Sequence, residues 1–174
     1  IKEYKNHVTL YRENNHKEFY VPNGDGRYFS FPVNYYAKLT KDDGGFSLRT
    51  KYGGHYRFNT AGLLTYAEDR NLNRTSLQYT KINGKWLLTS ITEPSIRKIT
   101  LTYGVNNMVS KAADPAGNFL QYFYDDYGHL IKVIDRLGNE ANYSYDGITH
   151  NLTAFTDPEG NTYRYDYIYA DRIN

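Results

Sequence analysis

The sequence predicts an all-β protein, built of stacked β-hairpins that form an extended, twisted and curved antiparallel sheet. Three observations carry this. The first is a repeat: Asp114-Pro115-Ala116-Gly117-Asn118, Asp135-Arg136-Leu137-Gly138-Asn139 and Asp157-Pro158-Glu159-Gly160-Asn161 begin 21 and then 22 residues apart. A fixed period of that size marks a repeat architecture. The second is composition. The 174 residues include 20 Tyr and 8 Phe but one Trp and one Met, and tyrosine favours strands. The third is punctuation. Strand-length pieces are separated by turn clusters such as Asn23-Gly24-Asp25-Gly26 and Asp42-Asp43-Gly44-Gly45.

Residues 1–58 read as irregular lead-in strands. The pieces are Val8-Thr9-Leu10-Tyr11, Phe19-Tyr20-Val21, Tyr28-Phe29-Ser30-Phe31 and Gly45-Phe46-Ser47-Leu48-Arg49. Pro22 and Pro32 argue against long helices. Tyr35 to Lys41 is the one stretch that imitates a short helix. Tyr56 to Leu64 reads as strand, turn, strand.

Residues 59–174 read as repeats, with units starting near 69, 93, 114, 135 and 157. The tenth residue after each start is Tyr79, Tyr103, Tyr124, Tyr145 and Tyr167. The fifth residue before it is Leu64, Leu88, Val109, Leu130 and Leu152, a second apolar column.

Each unit has a physical reading. The aspartate (Asp114, Asp135, Asp157) bonds the turn backbone, and the glycine (Gly117, Gly138, Gly160) takes a positive φ before the asparagine (Asn118, Asn139, Asn161). That is a three-residue hairpin loop with a bulge. The strand after it carries paired tyrosines (Tyr122 and Tyr124, Tyr143 and Tyr145, Tyr165 and Tyr167), which share a face because side chains alternate. A second turn, such as Asp125-Asp126-Tyr127-Gly128, reverses the chain. A lone hairpin is marginal in water, so neighbouring hairpins must bury these columns together. Leu72 and Ile96 stand where later units have glycine. A β-branched residue at positive φ is strained. Those two turns are therefore expected to adopt another geometry, in keeping with the 24-residue spacing between their starts.

Bulk properties narrow the function. The formal net charge of +2 gives no global field to attract nucleic acid. The absence of cysteine removes disulfides, thiol catalysis and thiolate metal sites. No apolar run approaches the roughly 20 residues of a membrane helix. Ile1 and Asn174 look like cuts within a longer chain.

Asp-x-x-Gly-Asn with Tyr-x-Tyr-Asp and Gly-x-Leu, about twenty residues apart, resembles the YD repeat of the Rhs family. That family includes bacterial polymorphic toxins, wall-associated proteins, shell components of insecticidal toxin complexes, and animal teneurins. The resemblance covers residues 59–174, and the preceding strands look like the irregular lead-in of such proteins. It implies a segment of a spiralling shell, secreted or on a bacterial surface, that encloses a C-terminal toxin. The partners it implies are further repeats and the toxin domain of the same polypeptide. Self-association through open sheet edges, near Tyr165 to Tyr169, is a further expectation.

Searched for chemistry, the sequence offers little. Asp114-Pro115 and Asp157-Pro158 lie in repeat register and read as turns rather than autoproteolytic sites. His129 and His150, 21 residues apart, are expected to sit in neighbouring turns without a third ligand. Asp157-x-Glu159-x-Asn161 imitates the start of a calcium loop, but Ile168 stands where the closing glutamate belongs. No nucleophile motif or phosphate loop is present. The expectation is a non-catalytic structural segment without cofactor or metal. The alternative is a carbohydrate- or protein-binding surface of Tyr, Asn, Asp and Arg.

Overall fold

A computed structural model describes residues 1–12, 15–31, 36–104 and 106–167. Tyr35, Ile168 and Tyr169, which entered the helix, calcium and edge-pairing expectations, lie outside these residues. Among the described residues there is no α-helix, and none long and apolar enough to cross a membrane.

Among the described residues, seventeen strands run in chain order. They are β1 (Lys2–Glu3), β2 (Val8–Tyr11), β3 (Lys17–Pro22), β4 (Arg27–Phe31), β5 (Lys38–Asp42), β6 (Gly45–Arg49), β7 (His55–Phe58), β8 (Leu64–Glu68) and β9 (Arg74–Ile82). They continue with β10 (Lys85–Thr92), β11 (Lys98–Tyr103), β12 (Val109–Ala113), β13 (Phe119–Tyr124), β14 (Leu130–Ile134), β15 (Glu140–Tyr145), β16 (Leu152–Thr156) and β17 (Thr162–Arg164). Lys38–Asp42, which overlaps the stretch that imitates a helix, is strand.

Two compact units divide the chain. One comprises Ile1–Thr80 with Leu88–Lys98, the other Lys81–Leu87 with Ile99–Asn174. In the first, β1 to β9 form an antiparallel meander in which each strand pairs with the next. In the second, β11 to β17 do the same. Each strand pairs with its neighbour in sequence, so it finds its partner locally.

The first unit contains a core. Val8, Leu10, Tyr20, Leu39, Phe46, Leu48 and Phe58 are buried and contact one another, with Tyr28, Tyr56 and Leu64 packed against them. Tyr20 is fully enclosed, and its hydroxyl donates to Glu18 Oε2 at 2.7 Å. Arg12 Nε in turn holds Glu18 Oε1 at 3.0 Å, so the polar end of a core tyrosine is not orphaned.

The second unit is built differently. None of its described residues is fully buried. One face of its strands carries Leu120, Tyr122 and Tyr124 on β13 and Ala141, Tyr143 and Tyr145 on β15, with Val133 paired between Tyr122 and Ala141, and Phe155 on β16 paired with Tyr143. The tyrosines Tyr122, Tyr124, Tyr143 and Tyr145 are half-buried. On the opposite face, Lys111 lies over Phe119 at 3.9 Å, and Lys132 pairs with Glu140 at 3.1 Å. Long cationic side chains thus shield the aromatic rings of the solvated side.

Candidate functional site

The three Asp-x-x-Gly-Asn turns close in one way. The first N–H donates to the carbonyl four residues on, and the fourth N–H donates back. Asp114 to Asn118 is 2.9 Å and Gly117 to Asp114 is 3.1 Å. Asp135 to Asn139 is 3.0 Å and Gly138 to Asp135 is 3.1 Å; Asp157 to Asn161 is 2.9 Å and Gly160 to Asp157 is 3.0 Å. Gly117, Gly138 and Gly160 have φ of 86°, 87° and 88°, a region in which a Cβ is penalised. The aspartate Oδ1 accepts the asparagine N–H, at 2.9 Å for Asn118 and Asn139 and 2.7 Å for Asn161. Its Oδ2 accepts the asparagine Nδ2 at 2.9 Å in all three. The asparagine side-chain bond is the main reason Asp114 and Asp135 sit below the usual carboxylate range. Both oxygens of each of these carboxylates are thus engaged within their own loop.

The same backbone pattern closes the opposite ends of the hairpins. Asn59 donates to Leu63 and Gly62 back to Asn59; Asp125 donates to His129 and Gly128 back to Asp125. The loop therefore recurs roughly every half-repeat, which the twenty-residue period conceals. The available signal was a polar residue three before a glycine, at Thr50-Gly53, Asn59-Gly62 and Asp125-Gly128.

Leu72 and Ile96 overturn an expectation. Leu72 donates to Asp69 at 3.1 Å and Ile96 to Glu93 at 2.9 Å, with φ of 67° and 71°. Both turns have the common geometry, and the large residue tolerates the left-handed region. At the first, Asp69 Oδ1 accepts the N–H groups of Asn71 and Asn73 at 2.7 and 3.0 Å. At the second, Glu93 holds the Ser95 hydroxyl and Arg97 Nε. Side-chain bonding and the flanking strands fix the loop, and the residue at its fourth position follows. The 24-residue spacing has another cause. β9 and β10 have 9 and 8 residues, against 5 or 6 in the strands from β11 to β16, and they meet at Asn83-Gly84, both with positive φ.

The tyrosine column has a defined task. Tyr124 donates its hydroxyl to the carbonyl of Val109 at 3.1 Å, and Tyr145 donates to Leu130 at 3.0 Å. The acceptors belong to the apolar column five residues before each turn. Tyr165 and Tyr167 lie past β17, 42% and 49% exposed, with the Tyr165 N–H bonded to the Thr153 carbonyl.

His129 and His150 do come together, with ring centroids 4.9 Å apart. His129 also stacks on Tyr145 at 4.6 Å, and its Nδ1 meets Asp125 Oδ2 at 2.7 Å. Its backbone N–H donates to Asp125 Oδ1. His129 is thus the counterpart of Asn118, a residue that closes a turn. Among the described residues, no group of three His, Asp or Glu is placed to hold a metal.

One polar cluster was invisible in the sequence. Arg49, His55, Glu68 and Arg74 stand opposite one another on β6 to β9. Ser47 Oγ is 2.8 Å from His55 Nε2, and His55 Nδ1 is 3.8 Å from Glu68 Oε1. The order matches nucleophile, base and acid, but the contacts do not. Arg74 holds Glu68 Oε2 at 2.9 Å through Nε, and Tyr66 approaches His55 Nδ1 at 3.5 Å. Neither Ser47 nor His55 lines the cavities of about 680 and 350 Å³ in this unit. Burial, and then Arg49, push the His55 pKa down. The cluster is a cross-strand row of Arg49, His55, Glu68 and Arg74 in which His55 loses affinity for its proton.

Fold and loops define a class: an antiparallel hairpin-repeat protein in which three turns carry Asp-x-x-Gly-Asn. A distant relationship to the Rhs family accompanies it. The chain is 24% identical over 134 residues to "Probable deoxyribonuclease RhsB" of Dickeya dadantii (strain 3937), an alignment covering 67% of this chain and 9% of that protein. The chain therefore spans a small part of that relative's length. Among solved structures, a porin-like protein from Bacteroides uniformis ATCC 8492 aligns with a TM-score of 0.45 at 13% identity, covering 90% of this chain and 86% of that one. No family model matches the chain.

Proposed function

We propose that the chain is a non-catalytic wall segment of a secreted or cell-surface YD-repeat shell that encloses and helps deliver a C-terminal toxin. The observation that carries this reading is the use of the repeat residues. Asp114, Asp135 and Asp157 are spent on turns, and the hydroxyls of Tyr124 and Tyr145 on main-chain carbonyls. A surface whose reactive groups are consumed by its own scaffold suits a container rather than a site. The distant similarity to an Rhs protein supports the same direction.

In this reading the partners are further repeats and the cargo domain of the same polypeptide. The test is limited proteolysis of the parent polypeptide with its C-terminal domain attached. That domain is expected to survive protease while the wall is intact. It should become cleavable when Tyr124 and Tyr145 are both replaced by Ala. Equal cleavage in both proteins would sink the container reading.

A further inference from the structure

Tyr4 and Tyr11 meet through their hydroxyls, whose oxygens are 3.1 Å apart. Both rings are open to solvent, 40% and 46% exposed. The backbone of the first unit sets the meeting. Tyr4 follows β1, whose Lys2 and Glu3 pair with Thr9 and Val8 of β2. Its N–H donates to the His7 carbonyl at 2.8 Å, which closes the turn between the two strands. Tyr11 ends β2 and is paired with Lys17 of β3. Side chains reinforce the placement. The His7 ring stacks on Tyr4, with centroids 4.7 Å apart and planes 13° from parallel, and it meets Phe19 at 5.7 Å. The Lys2 ammonium lies 5.1 Å from the Tyr4 ring centre, and that of Lys17 lies 5.7 Å from the Tyr11 ring centre.

This pair differs from the tyrosines described above. Tyr20 is enclosed and bonded to Glu18, while Tyr124 and Tyr145 donate to main-chain carbonyls. Tyr4 and Tyr11 instead present two phenols to each other at the surface, where a soluble reagent reaches both. Two phenols so placed have a chemistry that neither has by itself. A one-electron oxidant converts each to a phenoxyl radical, with loss of the hydroxyl proton. The unpaired spin spreads to the carbons ortho to the oxygen, and neighbouring radicals join there. The bond to Tyr11, and after it the Lys2 charge, hold the Tyr4 phenol below its ordinary pKa. A phenolate gives up an electron more readily than a phenol.

We propose that Tyr4 and Tyr11 form a site of oxidative cross-linking, at which a peroxide joins them as dityrosine. The new carbon–carbon bond forms between one ortho carbon of each ring. The hydrogen on each of those carbons then moves to its own ring's oxygen, which restores both phenols. The net loss from the protein is two electrons and two protons. They go to the peroxide, whose O–O bond breaks; hydrogen peroxide leaves as two waters. The chain has no cysteine, so no disulfide can staple it. This bond fastens β1, only 2 residues long, to β2. The proposal concerns the first unit and does not rest on the container reading.

The 174-residue chain, kept dilute, should be oxidised with peroxydisulfate and a light-activated ruthenium(II) complex. The monomer fraction is then digested with trypsin. Cleavage after Lys5 separates Glu3-Tyr4-Lys5 from the peptide Asn6 to Arg12. The expected product is these two peptides joined, lighter by two hydrogens than their sum, together with dityrosine fluorescence. In concentrated urea the strands no longer hold the phenols together, and the yield of joined peptide should fall at least about tenfold. Tyr11→Phe keeps a ring beside Tyr4 but supplies no phenoxyl radical, and the joined peptide should disappear. The proposal is overturned if the folded chain gives no joined peptide. A yield in urea equal to that of the folded chain also overturns it, because the fold then contributes nothing to the site. None of these outcomes bears on protection of the cargo domain, so the two readings fail separately.

Discussion

Tyr145 donates its hydroxyl to the main-chain carbonyl of Leu130, fifteen residues earlier, across 3.0 Å. Tyr124 makes the same bond to Val109 at 3.1 Å. The bond ties the tyrosine column to the apolar column, two patterns that look independent in the sequence. It also places a donor on a carbonyl at the N-terminal end of a strand. Burial first, and then the neighbouring tyrosine, raise both phenols above their ordinary pKa. Tyr145→Phe keeps the ring and removes the bond, and should lower unfolding free energy by about 1 kcal/mol. Tyr145→Ala removes a half-buried ring as well and should cost about 2–3 kcal/mol. Urea denaturation of the three proteins checks the order. Equal stability of the Phe variant and the parent would show that the bond contributes nothing.

Leu72 and Ile96 hold positive φ where the later repeats have glycine. The left-handed region costs a side-chain-bearing residue roughly 1–2 kcal/mol. Glycine relieves that strain but adds freedom to the unfolded chain. The net expectation for Ile96→Gly is a gain of a few tenths to about 1 kcal/mol. It should exceed that for Leu72→Gly, because Ile is branched at Cβ. The converse change, Gly138→Ile, should destabilise. Melting curves of the three variants decide it, and a loss of stability in Ile96→Gly would contradict the strain argument.

The sequence made the hairpins legible because their determinants are local. Asp114, Gly117 and Asn118 specify a loop within five residues, and Tyr122 and Tyr124 declare a face by alternation alone. Two things were not legible. The row Arg49, His55, Glu68 and Arg74 depends on the register of four strands, which no local pattern encodes. The turns at Leu72 and Ile96 depart from the local expectation because the bonds that Asp69 and Glu93 make around them outweigh the propensity of a single position.

The turn carboxylates imply acid sensitivity of definite sign. Asp69, Asp114 and Asp135 are all held below the usual carboxylate range, chiefly by the side chain of the asparagine that closes each loop. A carboxylate lowered on folding contributes stability above its unfolded pKa of about 3.9, and loses it as pH falls through the folded value. Stability should therefore drop below pH ~4. Replacing all three aspartates with Asn keeps an acceptor but removes the titration, and should flatten the drop. Parallel urea midpoints for parent and variant between pH 5 and pH 2.5 would refute this.

His55 gives a second pH dependence, separable from the first by its window. It is 9% exposed, and burial, followed by the Arg49 charge, lowers its pKa. Arg57 and Arg74 add to the lowering, while Glu68 opposes it. A histidine whose pKa falls on folding binds its proton more readily when unfolded. Its neutral, folded form is therefore unpenalised above about pH 6.5 and loses stability as pH falls below that value. The loss should stop growing once the folded histidine is itself protonated, with a new positive charge facing Arg49. His55→Gln preserves a partner for Ser47 and cannot titrate. Relative to the parent it should gain stability as pH falls from 6.5 towards 5, and the difference should be constant above pH 7. A constant difference across the whole range would mean that His55 keeps its ordinary affinity for protons, and that the row around it acts only by packing.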